Sequence, residues 1–193
     1  MDERLARLAA RRHGIFSRAE ALREGATRGY IARRVAKSRW ETMAPGVYRL
    51  NGAVPSWRQQ LLVACLWAGE LGVASHRAAA ALWQLAGFRT EPIEISVPRG
   101  VRLRRTGIVA HEVVALPHVD VTVVDAIPVT TPTRTLVDLG AVVSKDVLEE
   151  ALDDALRRSL TTISRLRWRL MELSRRGRPG IPALRALIDA REP

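Results

Sequence analysis

The chain has 193 residues, 47% hydrophobic and 26% charged, and its 31 Lys+Arg against 20 Asp+Glu give a formal net charge of +11. That length fits one domain or two small ones; the near-average composition excludes long disorder, and no apolar run reaches the roughly 18 residues that a membrane-spanning helix needs. The single cysteine, Cys65, excludes an internal disulfide and a Cys-based zinc site, and the charged start Met1-Asp2-Glu3-Arg4 has no apolar segment behind it, so the cytoplasm is the expected location.

Only Lys37 and Lys145 are lysines; every other cation is arginine, whose planar donor fork suits phosphate and guanine edges. Residues 1–52 hold 12 cations and 5 anions, residues 53–160 hold 11 and 12, and residues 161–193 hold 8 and 3. The excess therefore sits at the two ends, the pattern expected of a nucleic-acid module joined to something else. The turn-rich stretch Asn51-Gly52-Ala53-Val54-Pro55-Ser56 marks the boundary between domains 1–52 and 53–193.

In chain order, a first helix is expected over Glu3–Arg12, with Leu5, Leu8 and Ala9 on one face and Gly14 as its stop. Ile15-Phe16 is a short apolar piece. Ser17 caps a second helix over Arg18–Glu24, with Glu20 at capping-box spacing, and Gly25 ends it. Thr27 caps a third helix over Arg28–Lys37. At 100° per residue, Ile31 and Val35 face the core, and Gly29, Tyr30, Arg33, Ala36 and Lys37 face outward. Small residues let a backbone enter a DNA major groove, and the cations reach base edges or phosphates. Arg28 and Arg34 flank this face as phosphate contacts. Arg39–Met43 and Val47–Leu50, joined through Pro45-Gly46, read as a β-hairpin. Three helices and a hairpin in about 50 residues are the order of a winged helix-turn-helix. Thr27, Arg28, Tyr30, Arg33, Arg34 and Lys37 are expected to meet double-stranded DNA, with Arg39 and Arg49 touching its backbone from the wing.

The second part reads as helices over Trp57–Gly69 and from the Ser75 cap to Leu85, then strands Ile93–Val97, Ile108–His111, Val121–Val124 and Ile127–Val129. A helix opens at Thr131-Pro132, on which Arg134 and Asp138 stand four apart and can pair. The helix over Lys145–Arg158 has its apolar positions at Val147, Leu148, Ala151, Leu152, Ala155 and Leu156 and carries Glu149, Glu150, Asp153 and Asp154 as a solvated face. Helices over Ile163–Arg176 and from Pro182 close the chain. The fold class is α+β: a winged helix followed by a mixed domain of helices and a small sheet. Arg165, Arg169, Arg175 and Arg176 fall on an outward side of the 163–176 helix. They read equally as a solvated face or as a second polyanion contact.

No glycine-rich phosphate loop, HExxH or GxSxG is present. The four histidines, His13, His76, His111 and His118, lack metal-ligand spacing. Val35 and Val143 stand two residues before the only lysines, so a (D/E)-x-K nuclease motif is absent. No enzymatic activity, cofactor or metal is expected.

Three blocks are more specific than the helix order. The first is Arg11-Arg12-His13-Gly14 with Ser17-Arg18, Ser38-Arg39-Trp40 and Pro45-Gly46-Val47-Tyr48. The second is Ala74-Ser75-His76-Arg77-Ala78-Ala79-Ala80-Ala81-Leu82-Trp83, and the third runs from Ile127 through Thr131-Pro132-Thr133-Arg134-Thr135 to Leu139. Together, over nearly the whole chain, they resemble the AbiEi-type antitoxins of type IV toxin–antitoxin (abortive infection) systems. The resemblance implies a winged helix that binds repeats, expected to be inverted, in the operon's own promoter and represses it; a monomer binding cooperatively and a homodimer on DNA would look the same in the sequence. It also implies a second domain that counteracts a nucleotidyltransferase-like toxin. Ending at Pro193, the chain corresponds to the stand-alone form without the Vsr-like nuclease domain of longer relatives. The alternative is a winged-helix repressor whose second domain senses or dimerises and has no toxin partner.

Overall fold

The structure is a computed structural model and describes residues 2–89, 92–101, 103, 106–114, 116–174 and 180–191. The first 50 residues form α1 (Asp2–Ala10), β1 (Ile15–Ser17), α2 (Arg18–Arg23), α3 (Arg28–Ala36), β2 (Trp40–Ala44) and β3 (Val47–Leu50). The three strands make an antiparallel sheet in the order β1-β3-β2. The expected hairpin thus gains a third strand, with Ile15 opposite Arg49 and Ser17 opposite Val47. Three residues are too few to show a period, so β1 is defined only by its partner.

The winged helix has its own core. Leu5, Ala9, Ala21, Ala26 and Ile31 surround Phe16, Trp40 and Tyr48. Phe16 meets Trp40 edge-on with ring centroids 4.8 Å apart. Successive strand residues point to opposite faces of a sheet. While Phe16 and Tyr48 enter this core, their neighbours Ile15 and Val47 pack on the other side.

That other side is covered by α4 (Trp57–Trp67), whose cap Ser56 accepts a hydrogen bond from Gln59 N at 3.1 Å. Beyond it come β4 (Val73–Ala74), α5 (His76–Leu82), β5 (Ile93–Pro98), β6 (Ile108–Val113), a 3-10 turn (His118–Asp120), β7 (Val121–Val124) and β8 (Ile127–Thr130). They form a mixed sheet in the order β6-β5-β4-β8-β7, parallel at β5–β6 and β4–β8 and antiparallel elsewhere. The two-residue β4 joins its halves. Ile15, Ala44 and Val47 of the winged helix share one apolar cluster with Leu61, Leu62 and Cys65 of α4 and with Ile95, Ile127 and Val129 of the mixed sheet. The segment 51–56 carries no helix or strand, yet the core runs across it. Burial in this cluster pushes the Cys65 thiol up to about 12, so it is an inert filler.

Four helices complete the fold: α6 (Pro132–Leu139), α7 (Lys145–Arg157), α8 (Ile163–Ser174) and α9 (Ile181–Asp189). Leu136, Leu139, Leu148, Leu152, Leu166, Leu170, Leu184 and Leu187 form their joint core. The end expected for α8 at Arg176 lies outside the described residues. On α7 the acidic face is not wholly solvated. Asp154 is buried and accepts hydrogen bonds from Ala86 N at 3.2 Å and Arg158 Nη1 at 3.0 Å, because the loop after α5 passes over it.

Candidate nucleic-acid interface

The expected reading helix is set by two caps and a turn. Ser17 accepts from Glu20 N while Glu20 accepts from Ser17 N at 2.7 Å, which completes the capping box of α2. Gly25, with φ +90°, turns the chain, and Thr27 accepts from Tyr30 N at 3.1 Å to start α3. Ile31 is buried and anchors α3 on the core.

The opposite face carries Arg28, Gly29, Ala32, Arg33, Ala36 and Lys37, all exposed. Arg28, Arg33 and Lys37 have no side-chain partner among the described residues. Arg39 is likewise exposed at the entry to β2. A groove of ≈ 560 Å³ lies between α3 and the β2–β3 wing, with Arg28 and Ala32 on its helical side and Thr42 and Gly46 on the wing. Arg18, the first residue of α2, opens onto this groove and donates from Nη2 to Tyr48 Oη at 3.2 Å. Helical periodicity gave no reason to single it out; its place directly after the Ser17 cap was the usable signal.

Three residues expected to meet DNA have other partners within the chain. Tyr30 is half-buried: its ring meets Trp40 edge-on at 5.9 Å, because β2 covers that side of the helix and offers an apolar contact that solvent does not. Arg34 lies over Tyr30, with its guanidinium carbon 4.9 Å from the ring centroid and Nε donating to Tyr30 Oη at 2.6 Å. It braces the helix rather than facing outward. Arg49, on β3 of the wing, is engaged within the protein. It lies directly across the ladder from Glu41, donates to Glu41 Oε2 at 2.5 Å and to Gln59 Oε1 at 3.1 Å, and ties the wing to α4.

The C-terminal arginines divide in the same way. Arg165 is exposed, whereas Arg169 is buried, donating to Asp120 Oδ1 at 2.6 Å and Oδ2 at 2.5 Å. Arg169 therefore does not lie on the outward side of the helix expected for it, but is held against Asp120. Arg175 and Arg176 lie outside the described residues.

The other specific blocks build buried polar networks in the second domain. Arg134 and Asp138 pair as their spacing predicts, Nε to Oδ1 at 2.8 Å, and Arg134 Nη1 also donates to Asp120 Oδ2 at 2.7 Å. Arg77 donates to Glu94 through its backbone N and through Nη1, each at 2.8 Å. The His76 ring stacks on His111 at 3.5 Å, and Ser75 Oγ lies 2.9 Å from His76 Nδ1. Burial pushes His76 down to about 4, against the pull of Asp138 and Glu94, so it is neutral at pH 7. Among the described residues no group of three or more His, Cys, Asp or Glu is placed to hold a metal, and no helix is long and apolar enough to cross a membrane.

A winged helix with an exposed cationic face, joined through a shared core to a second domain, defines a DNA-binding transcriptional regulator. Residues 3–51 match the family model described as transcriptional regulator, AbiEi antitoxin, and residues 63–190 match the AbiEi antitoxin C-terminal domain. The chain belongs to the AbiEi antitoxin family. A search of curated proteins returns no match.

Proposed function

We propose that this antitoxin binds the promoter of its own operon through the winged helix and represses it, and that its second domain counteracts a nucleotidyltransferase-like toxin. One observation carries the DNA half. Arg28, Arg33 and Lys37 stand exposed, without a side-chain partner among the described residues, around Gly29, Ala32 and Ala36, so the helix presents charge without bulk between itself and a groove floor. Arg33 reads a base edge. Arg28, Lys37, Arg39 and Arg18 hold phosphates, and Thr27 sits at the helix N-terminus beside them. Two copies bind inverted repeats, one helix per half-site.

Fluorescence anisotropy with a promoter fragment tests this. Arg33→Ala costs about 1–3 kcal/mol and relaxes specificity at one position. Arg28→Ala weakens all sequences alike and flattens the salt slope by about one. Unchanged promoter affinity in an Arg33→Ala/Lys37→Ala variant removes the helix assignment. Growth rescue by that same variant, in cells expressing the cognate toxin, separates neutralisation from DNA binding.

A further inference from the structure

A cleft of ≈ 400 Å³, within the range of small-ligand sites, opens between the 3-10 turn, the start of α6 and α8. It lies in the second domain, away from the α3 face, and neither repression nor the winged helix accounts for it. Its floor is the buried ion network. Asp120 is the one acid among the described lining residues, and its two oxygens accept three guanidinium hydrogen bonds, from Arg134 Nη1 and from Arg169 Nε and Nη2. Buried ion pairs are a weak source of stability because desolvation offsets their attraction, so stability alone is a poor reason to keep this one. Saturated in this way, Asp120 does not repel an incoming anion.

Two cations face the opening. Arg165 lines the cleft, exposed, and its guanidinium has no partner among the described residues. Arg169 holds Asp120 with Nε and Nη2, which leaves Nη1 without a partner among them. Between the two in sequence, Trp168 is 45% exposed, with the Arg169 guanidinium carbon 5.8 Å from its ring centroid. Trp83 forms part of the far wall and is locked there by its Nε1, which donates to Thr130 O at 2.8 Å. The hydroxyl of Thr133, 2.7 Å from that of Thr161, adds a polar group at the start of α6.

We propose that this cleft binds a nucleotide, with its phosphate on Arg165 and the free Nη1 of Arg169 and its base against Trp168. Guanidinium forks match phosphate oxygens, and an exposed indole beside them supplies a stacking plane for a planar ring. The same chemistry is offered by a free mononucleotide and by the 5′ end of a nucleic-acid strand. The proposal does not rest on promoter binding, since none of its residues lies in the winged helix.

The test titrates the full-length protein with AMP, GMP, adenosine, inorganic phosphate and a short 5′-phosphorylated single strand, followed by calorimetry and tryptophan fluorescence. Mononucleotides bind saturably and more tightly than adenosine or phosphate alone. Arg165→Ala and Trp168→Leu each weaken them by about tenfold or more, the loss of one charge-assisted or stacking contact. Arg185→Ala, exposed on α9 and away from the cleft, leaves binding unchanged. Both cleft side chains are exposed, so unchanged melting temperatures are expected to show that the variants fold. Tighter binding of the phosphorylated strand than of AMP identifies a strand end as the natural source. Absence of saturable binding by either nucleotide or strand at millimolar concentration overturns the proposal. So does binding that survives both cleft substitutions, and so does phosphate binding as tightly as AMP.

Discussion

Lowering the pH perturbs His76 in a way the structure makes quantitative. Its imidazole is buried against His111, with Arg134 disfavouring charge and Asp138 and Glu94 favouring it; desolvation dominates and holds it near 4. In the unfolded chain a histidine titrates near 6.5, so between these values the unfolded state binds the extra proton. The neutral ring's contribution is therefore complete above the unfolded value and is lost as pH falls toward the folded one. From about pH 7 to about pH 5 the loss from this one group is about 2 kcal/mol, rising to about 3 kcal/mol near pH 4. The comparison protein is His76→Asn. His76 sits at φ +52°, and asparagine tolerates that left-handed backbone without titrating. Urea unfolding of both proteins across the range, together with the histidine NMR titration, measures the difference. Equal pH slopes for the two, or a native His76 titrating near 6.5, would refute the reasoning.

Other consequences are as direct. Gly14 has φ +79°, and a Cβ there would stand 2.4 Å from that of Ala53, so Gly14→Ala is expected to destabilise by about 1–3 kcal/mol in chemical denaturation. A wild-type midpoint in that variant contradicts the close approach. Asp120→Ala strands Arg134 and Arg169 without their shared carboxylate and is expected to cost about 3–5 kcal/mol, read from the same unfolding curves; a loss near zero would mean that water already screens the network. Leu61→Ala opens a cavity in the cluster shared by both halves, at about 2–5 kcal/mol. Both halves should still melt in one transition, and two separated calorimetric peaks would show that α4 does not couple them. Arg49→Ala leaves promoter affinity unchanged, because its guanidinium holds Glu41 and Gln59; a drop in affinity by anisotropy returns it to the interface.

Much of the local structure is legible residue by residue. Ser17, Thr27, Thr131 and Ser144 each accept a hydrogen bond from the helix they precede, as capping chemistry requires, whereas Ser75, also expected as a cap, makes no side-chain cap hydrogen bond. The exposed set Arg28, Gly29, Arg33, Ala36 and Lys37 follows from helical angle and the burial of Ile31. Arg134 and Asp138 pair because four residues make one turn. The partners of Tyr30, Arg49 and Arg169 are not legible from their own elements, whose periodicity is blind to what another element lays against them. Trp40 comes from β2, Glu41 from the neighbouring strand, Gln59 from α4 and Asp120 from a turn 49 residues upstream of Arg169.

The +11 charge thus has two fates. By itself the sequence determined that cations gather in residues 1–52, that three helices, two of them capped by Ser17 and Thr27, precede a hairpin, and which helix face is small and basic, because these depend on spacing of a few residues along one chain. Only the tertiary structure decided which arginines remain free. It placed Ile15 and Val47 in a core shared with the mixed sheet, and it drew Arg134 and Arg169 onto Asp120 beneath a cleft. An arginine is a surface cation or a buried strut according to whether a carboxylate from elsewhere in the chain reaches it, and that meeting is set by packing between elements.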